Sequence, residues 1–176
     1  MKQAPEQRPD GRGLRVAVLR ARFNPRVVDG LLAGAEAALT EMGVARVEVL
    51  EVPGAFELPL AAKAAGVSGR FDAIVALGAV IRGGTDHYEH VARVAASGLQ
   101  RAALDTGVPV AFGVLTVARE QQALERSRPG PDNKGAEAAR AAVAMACTLR
   151  GLDQTSSDTP GRTGRRVSGV SGRRRA

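Results

Sequence analysis

Short apolar stretches alternate along most of the chain with longer stretches whose apolar positions recur at helical spacing. The apolar, β-branched runs predict four strands, at residues 14–19, 45–52, 71–80 and 110–115. The helical spacing predicts five helices, at residues 27–42, 58–65, 87–104, 120–127 and 136–149. Strands that alternate with helices imply a parallel sheet with right-handed crossovers and helices on both faces. We therefore expect an α/β protein, a flavodoxin-like three-layer α/β/α sandwich on a four-stranded parallel sheet whose strands are buried on both faces.

The two ends of the chain lack this pattern. Residues 1–13 are polar and contain two prolines, and residues 151–176 are rich in Ser, Thr, Gly and Arg with almost no large apolar side chain. Such composition cannot bury enough apolar surface to order a segment, so we expect disordered N- and C-terminal ends. The predicted organisation is an N-terminal arm at 1–13, one domain at 14–150 and a basic tail at 151–176.

Composition narrows the class of protein. No run approaches the ~20 apolar residues of a membrane span, and the start of the chain lacks the apolar stretch of a secretory signal. The single cysteine, Cys147, excludes an intrachain disulfide framework. These features favour a cytoplasmic protein with no membrane partner.

The net charge of +7 is concentrated at the ends of the chain. Residues 16–149 carry equal numbers of basic and acidic side chains, so the predicted domain is neutral. The Arg-rich tail alone suits a polyanion, and it has no aromatic side chain on which bases stack. Nucleic acid is therefore not the expected partner.

Each predicted strand ends in polar or aromatic residues, where open α/β sheets bind their ligands. The third strand is followed by Gly83, Gly84 and Thr85 at the start of a helix, an arrangement whose N–H groups and hydroxyl suit an anion. The segment lacks the G-K-[ST] ending of a P-loop. Arg126, beyond the fourth strand, is of the type that clamps a phosphate.

The two histidines, His87 and His90, lie three residues apart at the start of the predicted third helix. This spacing allows a metal pair, but no third ligand stands at a recognisable spacing, so no metal site is predicted. A single histidine next to an anion site suits general acid–base catalysis better, and His87 is the closer of the two. The chain has no nucleophile elbow, Cys/His pair or GxGxxG motif.

Taken together, these segments resemble the lumazine synthase family. The most specific strings are PGAFELP at residues 53–59 and VIRGGTDH at residues 80–87. Three weaker strings, RFN at 22–24, GVLT at 113–116 and NKG at 133–135, stand in the family's order, and the resemblance covers residues 14–150.

The resemblance implies a transferase of riboflavin biosynthesis that needs no metal or organic cofactor. Its reaction condenses 5-amino-6-(D-ribitylamino)uracil with 3,4-dihydroxy-2-butanone 4-phosphate, with release of phosphate and water, to give 6,7-dimethyl-8-ribityllumazine. His87 would be the proton donor, and Phe23 would stack on the pyrimidine ring. The other residues implied for the uracil substrate are Ala55, Phe56, Glu57, Ala79, Val80, Ile81 and Phe112. Those implied for the phosphate are Gly84, Thr85 and Arg126, with Arg82 and Lys134 near the site.

The family also implies a homopentamer with active sites between neighbouring subunits, and the N-terminal arm would then lie along a neighbour. Whether pentamers assemble into a sixty-subunit shell, and whether riboflavin synthase is a physical partner, stays open at this point. The competing hypothesis is a non-catalytic relative that binds flavin or lumazine. Such a relative would keep Phe23 but lose His87 or Arg126, and both are present.

Overall fold

A computed structural model of the protein describes the backbone of residues 9–157 and the side chains of residues 9–153. The strands are β1 (Arg15–Ala21), β2 (Arg46–Val52), β3 (Ala73–Ile81) and β4 (Val110–Val117). The helices are α1 (Pro25–Glu41), α2 (Leu58–Val67), α3 (His87–Thr106), α4 (Glu120–Ser127) and α5 (Lys134–Ser157). The strands form one parallel sheet in the order β2-β1-β3-β4. The predicted flavodoxin-like α/β fold is confirmed.

Alternate residues of the central strands enter two separate hydrophobic cores, as the period of two in a strand requires. Val75 and Leu77 of β3 pack in the core beneath α1 and α5. Ile74 and Ala76 of the same strand pack in the core beneath α2 and α3. The sheet is thus covered on both faces, which gives the three layers expected from the sequence.

The expectation that the strands are buried on both faces is wrong for β2. All but one of the β3 residues are buried, whereas Val47 and Val49 of β2 are 37% and 38% exposed. The strand β2 lies at an edge of the sheet, and these two valines pair with Val16 and Val18 of β1, on the face that α1 covers. The helix covers the inner strands and leaves this face of β2 open. Sequence periodicity does not distinguish an edge strand that a helix covers from one that it does not.

The topology places a ligand crevice at one defined position. The chain leaves β1 through α1 on one face, towards β2, and leaves β3 through α3 on the other face, towards β4. The adjacent strands β1 and β3 therefore send their connections in opposite directions. At such a switch point the loops diverge, and ligands bind outside the carboxyl ends of the strands. These are the ends of β1 at Ala21 and of β3 at Ile81.

Parts of both predicted ends lie within the described residues. Residues 151–157, which we assigned to the tail, continue α5. Residues 9–13 of the predicted arm make two hydrogen bonds to the rest of the chain: the Gly11 N–H donates to Met42 O at 2.8 Å, and Cys147 Sγ donates to Asp10 O at 3.2 Å. The rest of the arm, the remainder of the proposed disordered tail and any polyanion site on it lie outside the described residues. None of the helices described here is both long enough and apolar enough to cross a membrane.

At the opposite end of the sheet from the crevice, Asp72 joins three parts of the chain. Its carboxylate accepts hydrogen bonds from the backbone N–H of Arg15 at 2.8 Å and from the guanidinium of Arg15 at 3.2 Å, and it lies 3.8 Å from Arg150 of α5. Partial burial raises the pKa of Asp72, but the hydrogen bonds and positive charge of Arg15, with Arg150, outweigh it and hold the pKa below its usual value.

We expect Asp72→Asn to lower the free energy of unfolding at pH 7 by about 1 kcal/mol, because the amide keeps an acceptor for the Arg15 N–H but loses the charge. A carboxyl with a lowered native pKa stabilises the fold above its unfolded pKa and loses that effect as the pH falls through the native value. The difference between the two proteins should therefore vanish in acid. Denaturant unfolding between pH 7 and pH 3 measures it, with exposed Asp132→Asn as the control for removal of a charge. A difference that persists unchanged at pH 3 would contradict the ion-pair explanation.

Candidate active site

A cavity of about 540 Å³ opens at the carboxyl ends of β1, β2 and β3, beside the first turn of α3. It is lined by Phe23, Asn24, Gly54, Ala55, Phe56, Glu57, Ala79, Val80, Ile81, His87 and Val91. Every residue predicted for the uracil substrate except Phe112 lines this cavity, together with the predicted proton donor. The structure thus brings together segments as far apart in the sequence as Phe23 and Val91.

The segment after β2 fixes the wall of the cavity through Gly54. A Cβ atom at this position would lie 3.1 Å from the Phe23 ring and 3.2 Å from a carboxylate oxygen of Glu57. The missing side chain therefore lets the aromatic ring and the carboxylate approach the same stretch of backbone. The Phe23 ring packs on glycine with one side and is 71% exposed overall, which leaves it available to a planar ligand.

Asn24, to which the sequence alone assigns no role in the site, lines the cavity and hydrogen-bonds the backbone of β3. Its backbone is left-handed (φ 56°), a conformation that Asn tolerates better than most residues, and it precedes α1, with Pro25 as the first helical residue. Its side chain does not cap the helix; Nδ2 donates to Ala79 O at 2.9 Å. This bond ties the end of β1 to the end of β3. An Asn-Pro pair after a strand indicates a helix start but gives no sign of this second role.

Two ionisable side chains, those of Glu57 and His87, line the cavity. In the part of the chain that the structure describes, no group hydrogen-bonds the imidazole of His87 or pairs with the carboxylate of Glu57. Both side chains face a concave site that is otherwise mainly apolar, so their hydrogen-bonding capacity is left for a ligand. An imidazole and a carboxylate supply a proton donor and a hydroxyl acceptor, respectively.

The predicted phosphate loop forms the rim of this cavity. Gly84 and Thr85 are exposed in the segment that leads from Ile81 to His87, both of which line the cavity. Arg82 stands at the start of the segment, but its guanidinium lies 3.3 Å from Glu89 and 5.9 Å from the centroid of the Tyr88 ring. It therefore packs on the first turn of α3 rather than lining the cavity.

Three predicted residues lie in a second concavity, a groove of about 370 Å³ along the edge strand β4. Phe112, Arg126 and Lys134 line it, together with Glu137, which the sequence argument missed and whose carboxylate pairs with the Lys134 ammonium. Arg126 is exposed and donates to Gln122 O at 2.9 Å. The groove thus presents two cations, one carboxylate and one aromatic ring on an open edge of the sheet.

The groove and the cavity are separate in one subunit. Phe112 pairs in register with Ala76, three residues before Ala79, so it lies about 10 Å upstream of the cavity along the strand direction. Of the chain's four phenylalanines, Phe23, Phe56 and Phe112 are 71%, 55% and 45% exposed. Monomeric proteins rarely leave a large aromatic patch uncovered, so these rings are surfaces on which a ligand or another chain can pack.

The fold and the cavity define the class of protein: a flavodoxin-like α/β protein with an open cavity at the switch point of its sheet, lined by aromatic rings and by the start of a helix. Residues 13–150 match the family model described as 6,7-dimethyl-8-ribityllumazine synthase. A relative named 6,7-dimethyl-8-ribityllumazine synthase, from Kineococcus radiotolerans, is 52% identical over 151 residues, which are 85% of this chain and 93% of the relative. The chain belongs to the 6,7-dimethyl-8-ribityllumazine synthase family, whose members are transferases of riboflavin biosynthesis.

Proposed function

We propose that the protein condenses 5-amino-6-(D-ribitylamino)uracil with 3,4-dihydroxy-2-butanone 4-phosphate at a composite site. One subunit supplies the cavity between Phe23 and His87, and a neighbouring subunit supplies the groove with Phe112 and Arg126. The observation that carries this proposal is the division of the family's site residues between two open concavities, each with exposed aromatic surface.

The cavity suits the uracil substrate. The exposed face of Phe23 takes the pyrimidine ring, and Phe112 of the neighbour covers it from the other side. Backbone groups at Ala79, Val80 and Ile81, with those at Ala55 and Phe56, bind the polar edge of the ring and the ribityl chain. The free carboxylate of Glu57 accepts from ribityl hydroxyls.

The rim and the groove suit the phosphate. Gly84 and Thr85 precede α3, a helix of 20 residues whose first N–H groups favour an anion. Arg126 of the neighbour adds a guanidinium that can donate two parallel hydrogen bonds to phosphate oxygens. Lys134 adds a second positive charge in the same groove, moderated by its pair with Glu137.

The reaction depends more on holding the two substrates in the right orientation than on reactive side chains of the protein. The 5-amino group of the uracil attacks the ketone, and loss of water gives an imine. Loss of the proton from the neighbouring carbinol carbon then expels phosphate, and the enol that forms tautomerises to a new ketone. The ribitylamino nitrogen attacks this ketone, and the ring closes with loss of a second water. A site that holds an amine and a carbonyl in contact offsets roughly 7 kcal/mol or more of the barrier. His87 protonates oxygen as water or phosphate leaves, the role of a general acid. No step requires a covalent enzyme intermediate.

Mixing the purified protein with both substrates tests the proposal. We expect the absorbance of the lumazine to rise together with the release of one phosphate for each product molecule formed. Stable binding of lumazine or flavin without any turnover would instead favour a non-catalytic relative.

We expect Gly54→Ala to raise the KM for the uracil substrate about tenfold, because its new Cβ would displace the Phe23 ring from the stacking position. The KM for the butanone phosphate should change little, because the phosphate rim does not contact Gly54. Steady-state kinetics with each substrate varied in turn measures this. Gly151→Ala, at a helical position where a Cβ meets nothing within 4 Å, is the matched control. Equal changes in both KM values would contradict the assignment.

The composite site requires an oligomer, and we propose a homopentamer. The open edge of β2 with exposed Val47 and Val49 and the groove on the other edge strand offer surfaces for unlike contacts, which close into a ring. Light scattering should give a mass of five chains of 18.2 kDa or, for a shell, of sixty. A monomer with full activity would overturn the composite site.

A further inference from the structure

Asn133 is the most completely bonded polar side chain in the loop between α4 and α5. It is 2% exposed and directly precedes Lys134, the first residue of α5. The sequence places it in the NKG string, in which only the lysine has been given a role so far. Its burial in a surface loop, next to two cations of the groove, needs a physical reason.

Both the nitrogen and the oxygen of this side-chain amide make hydrogen bonds. Its Nδ2 donates to Gly30 O at 3.0 Å, to Ser127 O at 2.9 Å and to Arg128 O at 3.0 Å, so one of its two hydrogens is shared. Its Oδ1 accepts from the N–H groups of Gly135 at 2.9 Å and Ala136 at 3.1 Å. One side chain therefore satisfies five backbone groups.

These five groups belong to three helices. The carbonyls of Ser127 and Arg128 belong to the end of α4, where a helix leaves acceptors unpaired, and the N–H groups of Gly135 and Ala136 are unpaired donors at the start of α5. The carbonyl of Gly30 lies within α1. The amide thus ends one helix, begins the next and fixes both to a third.

The sequence of α1 accommodates this arrangement. A Cβ atom at Gly34 would lie 2.0 Å from Asn133 Oδ1, and one at Gly135 would lie 1.9 Å from Leu31 O. These contacts are too close for any side chain, so the junction requires glycine on both helices. The junction therefore has little freedom to shift.

The two groove cations project from the two helix ends that Asn133 joins. Arg126 is the penultimate residue of α4, and its guanidinium donates to Gln122 O of the same helix. Lys134 opens α5 and pairs with Glu137 of the same helix. Among the residues that the structure describes, no side-chain contact links the two cations, so their separation depends on how α4 and α5 are joined.

We propose that Asn133 is a positioning residue for the anion-binding groove, setting the placement of Arg126 relative to Lys134 and hence the affinity for the phosphate group of the substrate. This inference rests on the proposed function only for the identity of that substrate. The side chain itself does not contact the substrate. Its amide holds the backbone from which both cations extend.

Asn133→Asp keeps the hydrogen-bond acceptor of the side chain and removes its donor, so it separates the effects of the two. The carboxylate keeps an acceptor for the first N–H groups of α5, where a negative charge is favourable, but it loses the donor and faces three carbonyl oxygens. We expect the KM for the butanone phosphate to rise about tenfold, with kcat and the KM for the uracil substrate within about twofold of their original values. Asn133→Ser, which keeps a capping oxygen without the charge, should shift the same KM in the same direction.

A control for lost stability is Thr106→Ala at the end of α3. Thr106 Oγ1 donates to Ala102 O at 2.7 Å and accepts from the Val108 N–H at 3.3 Å, at the end of the sheet away from the site. This variant should lower the melting temperature without changing either KM. A rise in the phosphate-substrate KM in Thr106→Ala equal to that in Asn133→Asp would overturn the positioning role, because it would then reflect stability alone.

Calorimetric titration with inorganic phosphate separates this inference from the proposed function. Weaker phosphate binding in both Asn133 variants, by about the same factor as the KM change, is expected whether or not the protein turns over its substrates. Phosphate affinity and KM that are unchanged in Asn133→Asp, in a protein whose Arg126→Ala variant loses phosphate affinity, would overturn the positioning role and leave the proposed function standing. If the protein does not turn over its substrates but both Asn133 variants still bind phosphate more weakly, the proposed function is overturned and the positioning role stands.

Discussion

Replacing His87 by alanine is expected to lower kcat about 10²-fold without abolishing turnover and without changing either KM more than about twofold. The imidazole lines the cavity and has no hydrogen-bond partner within the described residues, so its proton is available where water and phosphate leave. General acid catalysis contributes about 10²–10⁴-fold. Orientation of the two substrates remains after the substitution and sustains the residual rate.

His90→Ala is the matched control for this variant. His90 lies three residues further along α3, is exposed and does not line the cavity, so its removal should leave kcat unchanged. Stopped-flow or steady-state measurement of lumazine absorbance gives both rates. A His87→Ala protein that folds, binds both substrates and is completely inactive would show that proton transfer, and not orientation, dominates the rate.

The fold was largely predictable because its strongest signals are local. The apolar run that forms β3 predicts a doubly buried strand, and parallel strands place their carboxyl ends at one edge. That rule alone brings Phe23, Glu57 and His87 together, since each follows a different strand of the same sheet. Their association in one cavity confirms that the ends of the strands meet. The roles of the individual residues stay predictions.

The features that the sequence did not predict depend on which helices and strands pack against an element, and the element's own residue pattern does not contain that information. The exposure of Val47 depends on where α1 lies, and the separation of Phe112 from the cavity depends on its register with Ala76. Asn24 and Asn133 were not assigned roles because their partners, Ala79 and Gly30, are 55 and 103 residues away. Sequence spacing carries no information about contacts at such separations.

Replacing Arg126 by alanine is expected to raise the KM for the butanone phosphate about 10²-fold, a loss of about 2.7 kcal/mol, with a much smaller change in kcat. A guanidinium that binds the phosphate before and during the reaction contributes to binding in both states. Arg128→Ala is the matched control, because Arg128 is an exposed arginine two residues later that does not line the groove. An unchanged KM in Arg126→Ala would reject the phosphate assignment.

A mixture of the two damaged chains tests whether a site spans two subunits. His87→Ala leaves the groove intact and Arg126→Ala leaves the cavity intact, so random co-assembly at equal amounts should make about one site in four with both halves unaltered. At a butanone phosphate concentration near the original KM, where both homo-oligomers are weakly active, co-expressed and doubly tagged oligomers should then show about a quarter of the original activity. Homo-oligomers mixed after assembly contain no such sites and should show only the average of the two weak activities. If the co-assembled protein also shows only that average, cavity and groove serve the same subunit, because no exchange of chains would then create a complete site.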